Sequence, residues 1–335
     1  MPLSIGKLPQ GVLDRLLKTN RVADPRVIVG PRVGEDAAVL DTGGENLLIA
    51  STDPITFAAR RIGWYCVNVN ANDIAVMGGT PRWFMATLLL PDSHTEEEVE
   101  VIFKDIVASC EALAVSLIGG HTEVTHGLDR PILVGQMFGE AAKDRLVISA
   151  GARVGDAVLL TKGIAIEGTA IIANEMSEVS KKLLDDDGWQ KAREFLTEPG
   201  ISVVRDARIA IDSSTIHAMH DPTEGGVATA LHEMANAAGV GFVIDAQAIP
   251  IYAETARLCN GLSLDPLGLI ASGALLVICS ADDAEISAAA LRQEGVDANI
   301  IGRVVERADG LKLSGKNGLT DLPIFEQDEI TRILS

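Results

Sequence analysis

Carboxylates stand at three places in the first quarter of the chain where apolar or small residues surround them. Asp36 lies in Gly34-Glu35-Asp36-Ala37-Ala38-Val39-Leu40, Asp53 follows two hydroxyls in Ser51-Thr52-Asp53, and Asp73 closes a run in which Asn68, Asn70 and Asn72 interrupt an apolar segment. Taken alone, each of the first two reads as a turn or cap residue. The asparagines and Asp73 need hydrogen-bond partners if buried, and a ligand could supply them. Brought together, such hard oxygen donors suit Mg²⁺, which takes one or two carboxylates and completes its shell with phosphate oxygens and water. Two further stretches suit phosphate: Gly119-Gly120-His121-Thr122, read as a turn after a strand, and Asp221-Pro222-Thr223-Glu224-Gly225-Gly226, which opens a helix. Backbone N–H groups at both kinds of place can approach an anion. His121 reads as a base, a ligand or an ordinary polar loop residue, and the stretch from Asp221 to Gly226 as an anion site or an ordinary cap.

These residues need elements to hold them. Helical spacing of Leu8, Val12, Leu13, Leu16 and Leu17 predicts a first helix, expected to pack on the first domain. Strands are predicted over 37–40, 46–51, 88–90, 115–118 and 132–137, with a buried helix over 62–77. A second helix over 95–114 opens on a Thr cap and three glutamates. A turn cluster at 151–156 marks entry to a second domain, giving domains of 1–150 and 151–335. In the second, helices are expected near 168–176, 202–211, 227–238 and 282–293, and strands at 157–161, 242–244, 275–279 and 300–304. Asp185-Asp186-Asp187 reads as a solvated loop. Residues 328–334 read as a short docked helix, and the terminal Ser335 as having no covalent role.

The whole is 335 residues, 47% hydrophobic and 22% charged, which fits a folded globular protein of two domains. With 28 Lys and Arg against 47 Asp and Glu, the net charge of −19 disfavours nucleic acid and anionic membranes. The longest apolar stretch is too short and too interrupted to span a bilayer. No secretory signal opens the sequence, so the cytoplasm is the expected compartment. Cys66, Cys110, Cys259 and Cys279 are widely spaced, without a C-x-x-C pair, and read as buried free thiols.

Five ordered motifs, VGEDAAVL (33–40), STDPITF (51–57), VNANDIAVMGGTP (69–81), LIGGHTEV (117–124) and DPTEGGVATALHEMANAAGVG (221–241), resemble the superfamily of AIR synthetase, thiamine-monophosphate kinase, selenophosphate synthetase and the hydrogenase-maturation protein HypE. That resemblance implies a two-domain α+β fold with mixed sheets, a homodimer formed through the first domain, and ATP with Mg²⁺ held in a cleft between domains. It assigns Asp36, Asp53, Asp73 and Asp221 to the metal. Ser51, Thr52, Asn72, Gly119, Gly120, His121, Thr122 and Thr223 are assigned to the nucleotide. The kinase branch has Asp where this chain has His121 and Glu224. The second half is most similar to HypE, but the sequence ends Ile333-Leu334-Ser335 where HypE has a terminal Cys, so authentic HypE chemistry is not expected.

The expected function is therefore attack of a small-molecule oxygen on the γ-phosphorus of MgATP, releasing ADP, with no side chain singled out as the catalytic group. The alternative is a HypE-like nucleotide-binding accessory protein without turnover, and a maturation-type protein partner is compatible with either.

Overall fold

A computed structural model describes residues 5–20, 22–316 and 318–333. They form two units: the smaller holds Asp24–Gly30 and Asp36–Leu146, the larger the N-terminal segment through Ala23, Pro31–Glu35 and the chain from Val147 onward. The first helix, α1 (Gln10–Leu17), belongs to the larger unit, not to the first domain as expected. Its Gln10 Oε1 accepts from Asn236 Nδ2 at 3.3 Å, a polar tether that helical periodicity does not reveal.

In the smaller unit, β1 (Val27–Val29), β2 (Ala38–Leu40), β3 (Asn46–Ile55), β4 (Thr80–Leu90), β5 (Ser116–Val124) and β6 (Ile132–Ala142) form one sheet. Its order is β1-β2-β3-β6-β4-β5, with only the β4–β5 pair parallel. Burial alternates along β3, β4 and β6, so one face is covered. The cover is α2 (Ile62–Val76), buried on all sides but one residue and packed across β3, β6 and α3 (Glu96–Ala112). A capping box starts α3, with Thr95 and Glu98 satisfying each other's backbone N–H, worth about 1 kcal/mol. Along β3 and β4 the buried Leu47, Ile49, Leu88 and Leu90 alternate with Leu48, Ala50 and Leu89, which are half-buried on the other face of the sheet. Among the described residues of this unit, the large apolar side chains left exposed are Ile28 on edge strand β1, Leu117, Ile118 and Val124 on edge strand β5, and Val101, Phe103 and Val107 on α3.

The larger unit is built on β7 (Ala157–Thr161), β8 (Ile216–His220), β9 (Gly241–Asp245), β10 (Leu276–Cys279), β11 (Ala298–Val305), β12 (Leu311–Gly315) and β13 (Gly318–Asp321). The order is β13-β12-β9-β11-β7-β10-β8, mixed because β9 and β12 run parallel. Central strands β7 and β10 are buried on both faces and read as unbroken apolar runs. The helices are α4 (Ile166–Glu175), α5 (Ser177–Leu183), α6 (Asp186–Glu194), α7 (Val204–Ser213), α8 (Gly226–Ala238), α9 (Ala253–Leu262) and α10 (Ala284–Gln293). The aspartates read as a solvated loop instead start α6: Asp185 Oδ1 accepts from Gly188 N at 2.7 Å, and Asp186 and Asp187 occupy the positive end of the helix. All four cysteines are free and buried.

The last described stretch folds back onto this unit. Phe325 lies over Gly268, Glu329 Oε2 accepts from Asp265 N at 2.8 Å, and Asp328 caps a one-turn 3₁₀ helix (Glu329–Arg332) whose Ile330 is fully buried. Ser335 lies outside the described residues. Asp328 Oδ2 also accepts from Gly225 N at 2.6 Å. Burial pushes the Asp328 carboxyl up to about 6, against the pull of the Ile330 and Gly225 N–H groups. Burial likewise pushes Glu167, on the first turn of α4, up to about 7, although Ser272 N donates to its Oε2 at 3.3 Å.

Two predictions follow from this packing. Ile330→Ala is expected to lower stability by about 2–4 kcal/mol in denaturant unfolding, and a loss below about 0.5 kcal/mol would mean the tail is not docked by that side chain. Glu167 holds its proton more tightly folded than unfolded, so its contribution to stability is fully present below the ordinary carboxyl range and is lost as pH rises towards 7. Between pH 5 and 8 the wild type should therefore lose about 1–3 kcal/mol more than Glu167→Gln, whereas parallel pH profiles would contradict the assignment.

Candidate active site

In the smaller unit the buried helix α2 carries the polar residues that interrupt its apolar sequence. Asn68 and Asn70 find protein partners, which corrects the reading that a ligand completes them. Asn68 Nδ2 donates to Trp64 O at 2.9 Å, one turn back along the helix. Asn70 brackets Asp53: its Oδ1 accepts from Asp53 N at 2.9 Å, and its Nδ2 donates to Cys66 O at 2.8 Å and to Asp53 O at 3.2 Å. Ser51 Oγ donates to Asn70 O at 3.1 Å, and Thr52 Oγ1 donates to Gly135 O at 2.8 Å. These bonds fasten the Ser51-Thr52-Asp53 stretch of β3 to α2 and β6, so both hydroxyl protons are committed to the backbone.

One turn of α2 beyond Asn70, Asp73 is buried, and a carboxylate oxygen of Asp73 and one of Asp36 lie within 4.8 Å. Asp53 stands outside that pairing. Its charge is felt by Cys66, whose thiol is pushed well up, first by burial and then by Asp53. Two carboxylates this close repel each other in a medium of reduced dielectric, and a divalent cation relieves the repulsion. The donors are all carboxylate oxygens, with no thiol or imidazole among them, which fits Mg²⁺ rather than zinc or copper.

Gly119 and Gly120 do not form the expected turn. They continue β5 through Val124, in parallel register with Met85 and Ala86. Gly120 has a φ of +153°, and a Cβ there would be driven into the Ala86 carbonyl oxygen, so this glycine lets the strands approach. His121 and Thr122 are exposed on the same edge, and His121 Nε2 lies 3.1 Å from Glu123 Oε2. Between β5 and α3 the surface holds a cavity of about 370 Å³ whose lining, with Leu88, Phe103, Ile106, Leu117 and Ile118 beside residues 119–122, is largely apolar.

In the larger unit, Asp221 is buried at the end of β8, and the loop after it climbs to α8. Gly225 and Gly226 both have left-handed backbone, with φ of +79° and +63°, and a side chain on Gly226 would strike the Leu267 carbonyl oxygen. The N–H groups expected to receive an anion are partly spoken for: Gly225 N donates to Asp328 and Gly226 N to Thr223 O at 3.0 Å. Thr223 and Glu224 are half-buried, and both are met by Lys7: Lys7 Nζ donates to Thr223 Oγ1 at 3.0 Å, and Lys7 N to Glu224 Oε2 at 2.9 Å. Behind them His220 Nε2 lies 3.4 Å from Glu233 Oε2. Sequence reasoning missed Lys7 and Glu167, whose partners lie more than one hundred residues away, and placed Asp328 at the start of the tail helix without its bond to Gly225.

Both halves of the chain match the family described as AIR synthase related protein, its N-terminal domain over residues 34–141 and its C-terminal domain over 153–313. A putative hydrogenase expression/formation protein of Methanocaldococcus jannaschii is 28% identical over 337 residues, covering 98% of this chain and 97% of the relative. The carbamoyl dehydratase HypE of Cupriavidus necator is 30% identical over 285 residues, covering 82% and 78%. The solved structure of the hydrogenase maturation protein HypE in complex with ATP shares the fold, with a TM-score of 0.72 at 24% identity over 92% of each chain. With both of its domains matched and a two-sheet mixed architecture to accommodate them, the chain belongs to the AIR synthase related protein family.

Proposed function

We propose that this protein is an ATP- and Mg²⁺-dependent enzyme that activates or phosphorylates an oxygen atom of a small molecule and releases ADP. The observation that carries the reading is the close approach of Asp36 and Asp73, whose carboxylate oxygens lie near enough to share one divalent cation. The ATP complex of HypE and the dehydratase activity in the name of the Cupriavidus relative support the choice of nucleotide and of enzyme over inert scaffold.

In this reading Asp36 and Asp73 hold the metal, and Asp53 on β3 is assigned to it as a further ligand. In the larger unit Asp221 is assigned to the metal and Thr223 to the phosphates. Bound Mg²⁺ supplies charge neutralisation of the phosphate oxygens. The bonds of Ser51, Thr52 and Asn70 fix the β3 backbone, so that Asp53 needs no reorganisation when the nucleotide arrives. The substrate oxygen lone pair forms the new bond to γ-phosphorus as the bond to the bridging oxygen breaks, and that electron pair leaves on ADP. Catalysis is then positioning and electrostatics, with no covalent intermediate on the protein.

The uncovered edge of β5 supports a homodimer formed through the smaller unit, since an exposed strand flanked by Leu117, Ile118, Phe103 and Val107 pairs readily with a second copy. Gly119, Gly120, His121 and Thr122 then serve that edge in place of the phosphates. A maturation-type protein partner is in keeping with the hydrogenase-formation relatives.

Calorimetry with MgATP tests the metal assignment. Asp73→Asn should weaken Mg²⁺-dependent ATP binding by about tenfold or more with the unfolding midpoint kept or raised, and unchanged affinity would remove Asp73 from the ligand set. ADP release in the presence of candidate acceptors separates turnover from binding alone. Light scattering should return a dimer for the wild type and a monomer for an Ile118→Lys, Phe103→Glu double variant; a monomeric wild type would refute the β5 interface.

A further inference from the structure

Glu167 is a carboxyl group taken out of water without a cation to meet it. The residue is 4% exposed on the first turn of α4, and among the described residues Ser272 is its single hydrogen-bond partner, donating from N to Oε2 at 3.3 Å. Close packing builds the contact. Gly168 N donates to Ile270 O at 3.0 Å, and a side chain on Gly168 would strike Leu269, so the 269–273 loop lies directly on the first turn of the helix. Gly273, with a φ of +109°, then carries the loop past the Gly200 carbonyl, which a Cβ would meet at 2.8 Å.

Burial is the largest influence on this carboxyl. It acts against the pull of Ser272, and the charges of Asp328 in the C-terminal stretch and Glu224 in the loop before α8 add to it, leaving Glu167 at about 7, poised to take or give a proton near neutral pH. No Lys, Arg or His among the described residues offsets those charges. A second observation at the same spot is independent of that balance. Ser272, 1% exposed, has a buried Oγ that forms no aligned hydrogen bond with Glu167 or with any other described group. A buried hydroxyl left without a partner is costly, and an oxygen-bearing ligand would supply one. Glu224 follows Thr223, and Asp328 Oδ2 accepts from Gly225 N at 2.6 Å, so the groups that act on Glu167 belong to the loop assigned to the phosphates or are bonded to it.

We propose that Glu167, with the Ser272 hydroxyl beside it, is the proton acceptor for the attacking oxygen, so that the acceptor substrate is one whose oxygen carries its own proton. The inference rests on the reading of this protein as an ATP-dependent phosphoryl-transfer enzyme and names a group which that reading leaves open. As a lone pair of the acceptor oxygen bonds to γ-phosphorus, the O–H bond breaks towards the Glu167 carboxylate. The bond to the bridging oxygen breaks, its electron pair leaves on ADP, and Glu167 then gives its proton to solvent. Carboxylate and phosphate acceptors need no such base, and the charges of Asp328 and Glu224 repel them.

The test is steady-state ADP release by the full chain from MgATP with water as the acceptor, between about pH 5.5 and 9, with calorimetry of MgATP binding and thermal unfolding for each variant. The wild type should gain activity with rising pH along a limb centred at about 7. Glu167→Gln should flatten that limb and lower kcat by about a hundredfold or more, with MgATP affinity within about threefold of wild type. Glu167→Ala should be as slow, and added formate should restore it by about tenfold, a rescue that a merely structural carboxyl does not give. Ser272→Ala should lower kcat by about threefold to tenfold with its unfolding midpoint kept or raised, since it removes a hydroxyl that has no partner. A Glu167→Gln variant with wild-type kcat and an intact limb overturns the proposal. So does a loss that MgATP affinity shares in Glu167→Gln and that formate leaves unrestored in Glu167→Ala. A wild type that binds MgATP without releasing ADP overturns the turnover reading and this inference with it, and one that does not bind overturns the nucleotide reading. Both results differ from a wild type that turns over beside a Glu167→Gln variant that does so equally.

Discussion

The approach of Asp36 to Asp73 within 4.8 Å is the constraint on which the account of the smaller unit depends. Like charges at that distance separate unless something stiff holds them, and α2 is the stiff part. Its Asp73 sits on a helix buried on nearly every side, so the carboxylate cannot swing into water. The helix cannot slide either, because Asn70 is bonded to both the N–H and the carbonyl of Asp53 on β3. A helix that is hydrophobic all round usually exists only to fill a core. Here it also carries, at the spacing of one helical turn or less, the polar groups that fasten a strand and present a carboxylate.

The larger unit solves a different problem. Its glycine pair at the start of α8 frees backbone N–H groups, and the chain then satisfies two of them itself, one with Asp328 from the C-terminal stretch and one with the Thr223 carbonyl. An acidic residue on a helix N-terminus is favourable, but burial makes this one expensive and lifts it to about 6. The tail therefore does more than cover apolar surface: it fixes the loop that carries Thr223, while the N-terminal arm meets the same loop through Lys7. Two segments from opposite ends of the sequence converge on six residues, and neither has a local reason to do so.

Much of this was legible beforehand and some was not, for identifiable reasons. Long periodic segments such as α3 and α8 declared themselves through caps and spacing, and the motif order pointed to the fold. Strands β1, β8, β12 and β13 went unread, the first for its three residues and the others because His217, His220, Lys312, Ser314, Gly315, Gly318, Thr320 and Asp321 dilute their apolar pattern, and α6 was hidden because three aspartates look like a solvated loop until the Gly188 N–H finds Asp185. The Gly119-Gly120 pair misled more seriously: glycine signals a turn, but Gly120 is there so that β5 can lie against the Ala86 carbonyl. Of the candidate site, the positions of Asp36, Asp73 and Asp221 could be picked out in sequence. That Asn70 is a strut rather than a ligand, and that Lys7 reaches Thr223, are long-range facts which no spacing contains.

The central claim is that the Asp36–Asp73 pair exists to hold a divalent cation for a nucleotide. Crystals grown with Mn²⁺ and a non-hydrolysable ATP analogue, measured for anomalous scattering, test it most directly. The account predicts an anomalous peak within coordination distance of both carboxylates, about 2.1–2.3 Å, with phosphate oxygens completing the shell. Well-ordered nucleotide with no metal peak at that pair would contradict it.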